Sequence, residues 1–426
     1  MIKRSLSFLK KEKSVRPDRE FSISDISYQI TSRNRTIVMI APTPFYSGRG
    51  THLRILHEAK ALAVKGYKII IATYHIGDNP PGLHPNITIK RINRFFWWYA
   101  KKESGPNWQK IILDLLLCIK VLRICKRIKP GIIHGHLHEG VLIGWIVQKL
   151  LFYRKMVLIG DFHGTLVDEM RVHGYLRLRV IRNFFTCIEK LILRISCMAF
   201  VSSPGLKQAV ESDCKASDVC VLSDAPTLAI RSKHKTIPAN NFLKTDLPCV
   251  MYTGGFTPDK GIENLFQVIA SSLQNGLSCQ WVIAGSPLKR LSVPADIQEA
   301  VTVVSPLDHG KLANLLKHAD VACEPKQGEV LQGSGKLLNY MYAGVPPICF
   351  DGPAQRYYLG DELASRLIAK DISHFYNILK KILSLPADEK YKLKKMILQQ
   401  IKLFSWAKSA DTLEYHYIEQ WEKMQK

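Results

Sequence analysis

The feature that most limits the fold is an alternation running nearly from end to end, in which short continuous apolar stretches are each followed by an amphipathic stretch of helical period. IVMIAPTP at 37–44 is one such run, and residues 51–65 follow with Leu53, Leu56, Ala59, Leu62 and Ala63 on one face before Gly66 stops them. YKIIIATY at 67–74 completes a strand, helix, strand unit. The series continues through GIIHGH at 131–136, a helix from about Val141, MVLIGDFH at 156–163, a long helix around 180–195 and CMAFVSS at 197–203. Runs that are apolar throughout, rather than at every second residue, suit parallel strands covered on both faces, the doubly wound α/β arrangement.

A polar, basic stretch without period interrupts the series, and a second one then begins. It contains PCVMYT at 248–253, a helix from Gly261, QWVIAG at 280–285, VTVVS at 301–305, a helix over 311–318, DVAC at 320–323, a helix over 335–343 and VPPICF at 345–350. The expected organisation is a basic tail at 1–35, a Rossmann-like domain at 36–228, a linker at 229–246, a second Rossmann-like domain at 247–404 and a final helix at 405–426. Two such domains on one linker leave a central cleft, and the C-terminal strand ends that bind ligands in these sheets face it.

Charge says what the partner is. Lys and Arg number 60 against 36 Asp and Glu, a net +24, and residues 1–130 carry most of the surplus. The partner is therefore anionic. Arg91, Arg94, Lys101 and Lys102 are interleaved with Phe95, Phe96, Trp97, Trp98 and Tyr99, and an apolar helix with a cationic end follows at 108–129. That pairing suits an anionic membrane surface; a core helix with a solvated basic end fits the second stretch equally well. No run reaches the ~20 apolar residues of a spanning helix, because Lys120 breaks one candidate and Gln148 with Lys149 the other. Residues 1–35 lack the apolar stretch of a signal peptide. The expected location is cytoplasmic, peripheral on the inner face of the cell membrane. Nucleic acid is excluded for want of any recognition module. Cys118, Cys125, Cys187, Cys197, Cys249 and Cys349 lie in apolar runs, as core thiols do, which fits a reducing compartment.

Three glycine-rich turns carry the candidate chemistry. Gly333-Ser334-Gly335-Lys336 precedes a helix whose free N–H groups attract an anion, and Lys336 adds a full charge. It is not an ATPase loop, since Leu337 stands where a magnesium-binding hydroxyl is needed and Val330 where the first glycine belongs. A turn that only starts a helix would read the same way. Thr43 to His52 forms a second loop, in which Gly48 and Gly50 let the backbone approach a ligand. In the third, Gly254 to Gly261, Lys260 opens a helix beside the cleft, where it either neutralises phosphate or is an ordinary surface lysine.

Taken together, these turns resemble the GT-B-fold glycosyltransferases, specifically the large retaining group known as family 4. The resemblance spans about 37–421 and takes in IIHGH at 132–136, DFHG at 161–164, VSS at 201–203, DVACEP at 320–325 and, most specifically, KLLNYMYAGVP at 336–346. The family's donor-site helix commonly reads K-L-L-E-Y-M-x-x-G-x-P. The resemblance implies an acceptor domain followed by a nucleotide-sugar donor domain, with the stretch from Phe404 past Trp406 to Trp421 crossing back. It implies His163 as the catalytic side chain beside the transferred sugar, with Gly50, Lys260, Ser334, Gly335 and Lys336 on the donor diphosphate. Gly254, Gly255, Glu324, Glu329 and Asn339 would meet the donor sugar or nucleotide, and Arg49, His136 and Asp161 the acceptor. An imidazole at a strand end is suited to proton work in its own right, although a buried structural histidine is the plain alternative.

The implied activity is retaining transfer of a sugar from a nucleotide diphosphate to a lipid-linked or growing saccharide acceptor, with no metal or other cofactor. His134, His136 and His138 alternate as zinc ligands on a strand would, but the resemblance makes the first two a strand end facing the cleft. Two departures stand out. Gly255 replaces a common arginine, and Leu331 and Asn339 replace a pair of glutamates eight apart, leaving Glu324 or Glu329 to serve instead. A catalytically degenerate homologue acting as a partner subunit is the alternative those departures raise.

Overall fold

The computed structural model describes residues 35–80, 82–94, 108–172, 178–211, 219–228, 243, 247–256, 260–286, 291–305, 309–328 and 331–426. The first sheet comprises β1 (Thr36–Ala41), β2 (Lys68–Thr73), β3 (Ile87–Arg91), β4 (Ile132–His136), β5 (Val157–Phe162), β6 (Met198–Val201) and β7 (Val219–Val221). Its order is β3-β2-β1-β4-β5-β6-β7 and its pairings are parallel. Helices α1 (Gly50–Val64), α2 (Trp108–Ile128), α3 (Leu137–Leu150), α4 (Leu166–Val172), α5 (Arg179–Ile195) and α6 (Pro204–Glu211) connect the strands. β1 and β5 are buried along their whole length, as the continuous apolar runs require of a sheet covered on both faces.

The second sheet comprises β8 (Cys249–Gly255), β9 (Gln280–Ser286), β10 (Val301–Val304), β11 (Val321–Glu324), β12 (Pro347–Phe350) and β13 (Ile368–Ala369), again parallel, in the order β10-β9-β8-β11-β12-β13. Helices α7 (Ile262–Gln274), α8 (His309–Leu316), α9 (Gly335–Tyr342), α10 (Pro353–Leu367), α11 (Ile372–Leu383) and α12 (Ala387–Ile401) surround it. The strand order reverses between β1 and β4 in one sheet and between β8 and β11 in the other, and a crevice opens at the strand ends of such a switch.

The last helix, α13 (Trp406–Gln425), returns to the first domain. Ser405 caps it by accepting the Lys408 N–H. Ala410, Leu413 and Tyr417 join Ile55 and Ala59 in the first domain's core, and Lys65, the C-cap of α1, reaches Asp411 at 2.7 Å and Glu414 at 2.5 Å. The Trp406 indole donates to the Pro226 carbonyl at 2.9 Å, pinning the crossing to the end of the first domain.

The structure departs from expectation in particular places. α3 starts at Leu137, directly after β4, and not near Val141. Its first turn is polar, so helical period is not visible there, and Gly135 and Gly140 are what allow the abrupt entry: a Cβ at Gly135 would lie 2.6 Å from the Val141 nitrogen. Cys187 and Cys197 are exposed and not core thiols, whereas Cys125, Cys249 and Cys349 are buried. α2 buries Leu113, Leu117, Val121, Ile124 and Cys125 as a core helix does, yet also exposes Trp108, Ile111 and Leu115. Among the described residues no helix is long and apolar enough to cross a membrane. The aromatic stretch at 95–102 and the tail at 1–34 lie outside the described residues.

Candidate active site

Ser334 is the N-cap of α9: its hydroxyl accepts the Leu337 N–H and donates to Glu324 at 2.8 Å. Gly335 follows, exposed, and a Cβ there would meet nothing within 4 Å. The first backbone N–H groups of α9 thus stand at an open surface, where an anion is favoured. Lys336 folds back over the end of β8, its Nζ 3.2 Å from Glu324 and 4.7 Å from the centre of the Tyr252 ring. Gly254 has φ +151°, and a Cβ there would meet the Lys336 chain at 2.9 Å, so glycine is what lets the lysine pass. Burial works against the Lys336 charge, but Glu324, Tyr252 and Tyr340 outweigh it and hold the ammonium above the usual lysine range. Lys336 is therefore a fixed cation, as a diphosphate cradle needs.

Across the cleft, α1 begins at Gly50 with no side-chain cap, and a Cβ at Gly50 would also meet nothing within 4 Å. His52 shapes the loop before it: Nε2 lies 2.6 Å from the Thr43 hydroxyl, and Nδ1 accepts from the Ser47 backbone at 3.0 Å. Burial, then Arg49 and His163, push its pKa down to about 3, so it is a neutral clamp. Lys260 is exposed at the start of the α7 turn, where Gly261 (φ +77°) lies against Pro325 so closely that a Cβ would come 2.3 Å from its carbonyl oxygen.

His163 sits just past β5. Its Nε2 donates to Asp161 at 2.9 Å, which leaves Nδ1 on the side away from the carboxylate. Asp161 also takes His136 Nδ1 at 3.0 Å and the Arg54 guanidinium through Nε at 2.9 Å and Nη2 at 2.8 Å. Burial raises the Asp161 pKa, but Arg54, His163 and His136 reverse that and hold it well below the carboxylate range. Burial pushes His136 down to about 4. Arg54 continues to Asp224 at 2.6 Å and to the Leu222 carbonyl at 3.0 Å. Asp224 in turn abuts Gly333, where a Cβ would lie 2.5 Å from the carboxylate.

Several expected roles change with this geometry. Asp161 and His136 are fully buried, so they brace His163 from below and do not form an acceptor-facing surface. Glu324 holds Ser334 and Lys336 through its carboxylate. Asn339 accepts from the Thr227 backbone N–H at 2.9 Å and donates to its hydroxyl at 3.2 Å, so its amide ties α9 to the end of the first domain. Leu331 packs against the first domain's core, and its carbonyl accepts from Ser203. The Gly333 N–H donates to Ser202 at 3.1 Å. The turn carrying the candidate phosphate cradle is therefore seated on the opposite domain. His138 pairs with Glu189 at 3.3 Å, away from the other two histidines, because it lies in α3 and not on β4. Glu329 lies outside the described residues.

Arg54 and Glu58 were not among the expected site residues. The signal that could have found them is a pair of charges, one turn apart, beside the apolar stripe of α1: their side chains are 4% and 0% exposed and 3.0 Å apart.

Two doubly wound domains facing one cleft, with an open helix N-terminus on each side, define the GT-B architecture of glycosyltransferases. Residues 233–400 match the family model described as glycosyl transferases group 1. The fold is shared at TM-score 0.71 with sucrose-phosphate synthase from Thermosynechococcus elongatus, which is 19% identical over 91% of this chain and 99% of that one. The catalytic domain of starch synthase IV from Arabidopsis thaliana, bound to ADP and acarbose, aligns at TM-score 0.69 and 12% identity, covering 91% and 99%. The lipopolysaccharide outer core galactosyltransferase WaaB aligns at TM-score 0.58 and 13% identity, covering 91% and 98%. No curated protein matches the sequence. The chain is a glycosyltransferase whose C-terminal domain is of the group 1 type.

Proposed function

We propose that the chain is a family 4 enzyme that transfers a sugar, with retention at the anomeric carbon, from a nucleoside diphosphate to a lipid-linked or growing saccharide acceptor. The observation that carries this is the Ser334-Gly335-Lys336 helix start at the β8/β11 switch, an open anion site with a fixed ammonium group. As the bond from sugar to diphosphate breaks, negative charge grows on the departing phosphate. Lys336, the α9 N–H groups and Lys260 would stabilise it there, without a metal having to do so. The α1 N-terminus at Gly50, with no side-chain cap, would meet the same diphosphate from the first domain. His163, its Nε2 held by Asp161, would present Nδ1 to the transferred sugar or the incoming hydroxyl.

The acceptor's lipid character is inferred from the first domain's surface. α5 exposes Val180, Phe184 and Leu191 with Arg179, Arg182 and Arg194 along one helix, and Phe152 and Tyr153 are exposed beyond the end of α3. Aromatic and basic groups so mixed suit the inner, anionic face of a membrane, with the enzyme cytoplasmic and peripheral. Titration calorimetry with UDP-, GDP- and ADP-sugars tests the enzyme: one should bind, and the proposal falls if none does. Sedimentation with anionic vesicles at low salt tests the membrane half independently.

The partner-subunit reading rests on one observation, that Leu331 and Asn339 are both taken up by contacts with the first domain. Donor binding without turnover on extracted lipid-linked acceptors would favour it.

A further inference from the structure

Beneath His163 lies a buried cluster that shares Asp161 with the scheme above. Glu58 on α1, His134 and His136 on β4 and Asp161 on β5 are each fully buried, and a ligand-type atom of each lies within 4.8 Å of the others. The outer nitrogens of both histidines are engaged. His136 Nδ1 donates to Asp161, and His134 Nδ1 lies 2.5 Å from the Tyr417 hydroxyl on α13. The two rings are stacked 4.5 Å apart at 15°, because alternate residues of a strand share a face, so their inner edges run side by side.

His134 Nε2, His136 Nε2 and both oxygens of Glu58 are buried without a hydrogen bond, although Glu58 Oε1 pairs with Arg54 Nε at 3.0 Å. With Nδ1 donating, His136 Nε2 carries a lone pair, an acceptor in the same buried cluster as the Glu58 carboxyl. Buried acceptors facing one another are costly unless something positive lies between them. Charge points the same way. Three carboxylates, Glu58, Asp161 and Asp224, surround the single guanidinium of Arg54, within 2.6–3.0 Å of it. With all three ionised, two negative charges are in excess, which one divalent cation would cancel; without a cation, burial and then Asp161 raise the Glu58 pKa well above the usual carboxylate range.

We infer that Glu58, His134 Nε2 and His136 Nε2 ligate a first-row divalent metal ion, with Asp161 behind His136 in the outer shell. Two imidazoles and a carboxylate oxygen suit zinc, with a water as the fourth ligand. The outer shell is in place: Asp161 orients His136, Tyr417 orients His134, and Arg54 lies 3.0 Å from Glu58. Because Tyr417 belongs to α13, the ion is a clasp between the returning helix and the first sheet, and it is separate from the phosphate cradle. In the sequence His138 alternates with the other two. The structure replaces it with Glu58.

The test is metal content of the full chain, purified without a histidine tag and without chelator, by plasma mass spectrometry. About one zinc per chain is expected, falling below about a tenth in Glu58→Gln and His134→Gln variants of unchanged circular dichroism. Should those variants fail to fold, Tyr417→Phe keeps the ligands and should weaken metal retention about 10–100-fold. Protein unfolded in chelator and refolded with cobalt should show the absorption bands of a tetrahedral site. The inference is overturned if purified protein carries less than about a tenth of an equivalent and refolded protein takes up neither zinc nor cobalt. It is equally overturned by a crystal that shows only a water between Glu58 and the imidazoles, without anomalous signal.

Discussion

The Asn339 side chain holds Thr227 from both ends, accepting its backbone N–H at 2.9 Å and donating to its hydroxyl at 3.2 Å. An amide does this where a carboxylate, having no N–H, could only accept. Asn339→Ala should therefore cost about 1–3 kcal/mol of stability, read by urea denaturation, with donor affinity nearly unchanged. A large loss of donor binding at constant stability would return Asn339 to the nucleotide.

Lys336 is the cation fixed at the cradle by Glu324 and Tyr252. Lys336→Ala should weaken nucleotide-sugar binding by about 10–100-fold, the worth of one charge-assisted hydrogen bond. Calorimetry with whichever donor binds the native protein is the measurement.

His163→Ala removes the imidazole but leaves the α9 helix start intact. Turnover should fall by about 10²–10⁴-fold, the usual range for a general acid or base, while donor affinity stays within a few-fold. An equal loss in both would mean that His163 only binds.

Asp114 gives a pH signature outside the cleft. Half-buried beside Glu139 and bonded by the Tyr74 hydroxyl, it has its pKa raised from 3.8 to about 7, desolvation of the carboxylate being the main cause. A raised carboxyl pKa means that the folded state holds the proton more tightly. This contribution to stability is complete below pH 3.8 and is lost as pH rises through about 7. The slope is at most on the order of 1.4 kcal/mol per pH unit. Asp114→Asn should flatten the difference between urea midpoints at pH 5 and pH 8; an unchanged slope would assign the pH dependence elsewhere.

Most of the fold was legible in the sequence because buried parallel strands announce themselves as unbroken apolar runs. β4, β5, β8 and β9 fall within a residue or two of their expected places. β3 did not, since only alternate residues of an edge strand are covered. In the site, the glycine turns and Lys336 were legible from spacing alone. Arg54 and Glu58 were not, because a one-dimensional reading of α1 takes charges for its solvent face. Nor were the contacts of Asn339 and Leu331, which depend on how the two domains meet and hence on residues more than a hundred positions away.

The return of α13 to the first domain sets an order of events during synthesis. Tyr417, Leu413 and Ala410 complete a core whose other members lie between Ile37 and Leu222. At about 5–20 residues per second, the ribosome releases that first domain roughly 10–40 s before its closing helix exists. The nascent domain must wait with one flank of its core open until the second domain has been made. A stop codon anywhere before α13 therefore removes its piece from the half of the protein that was translated first.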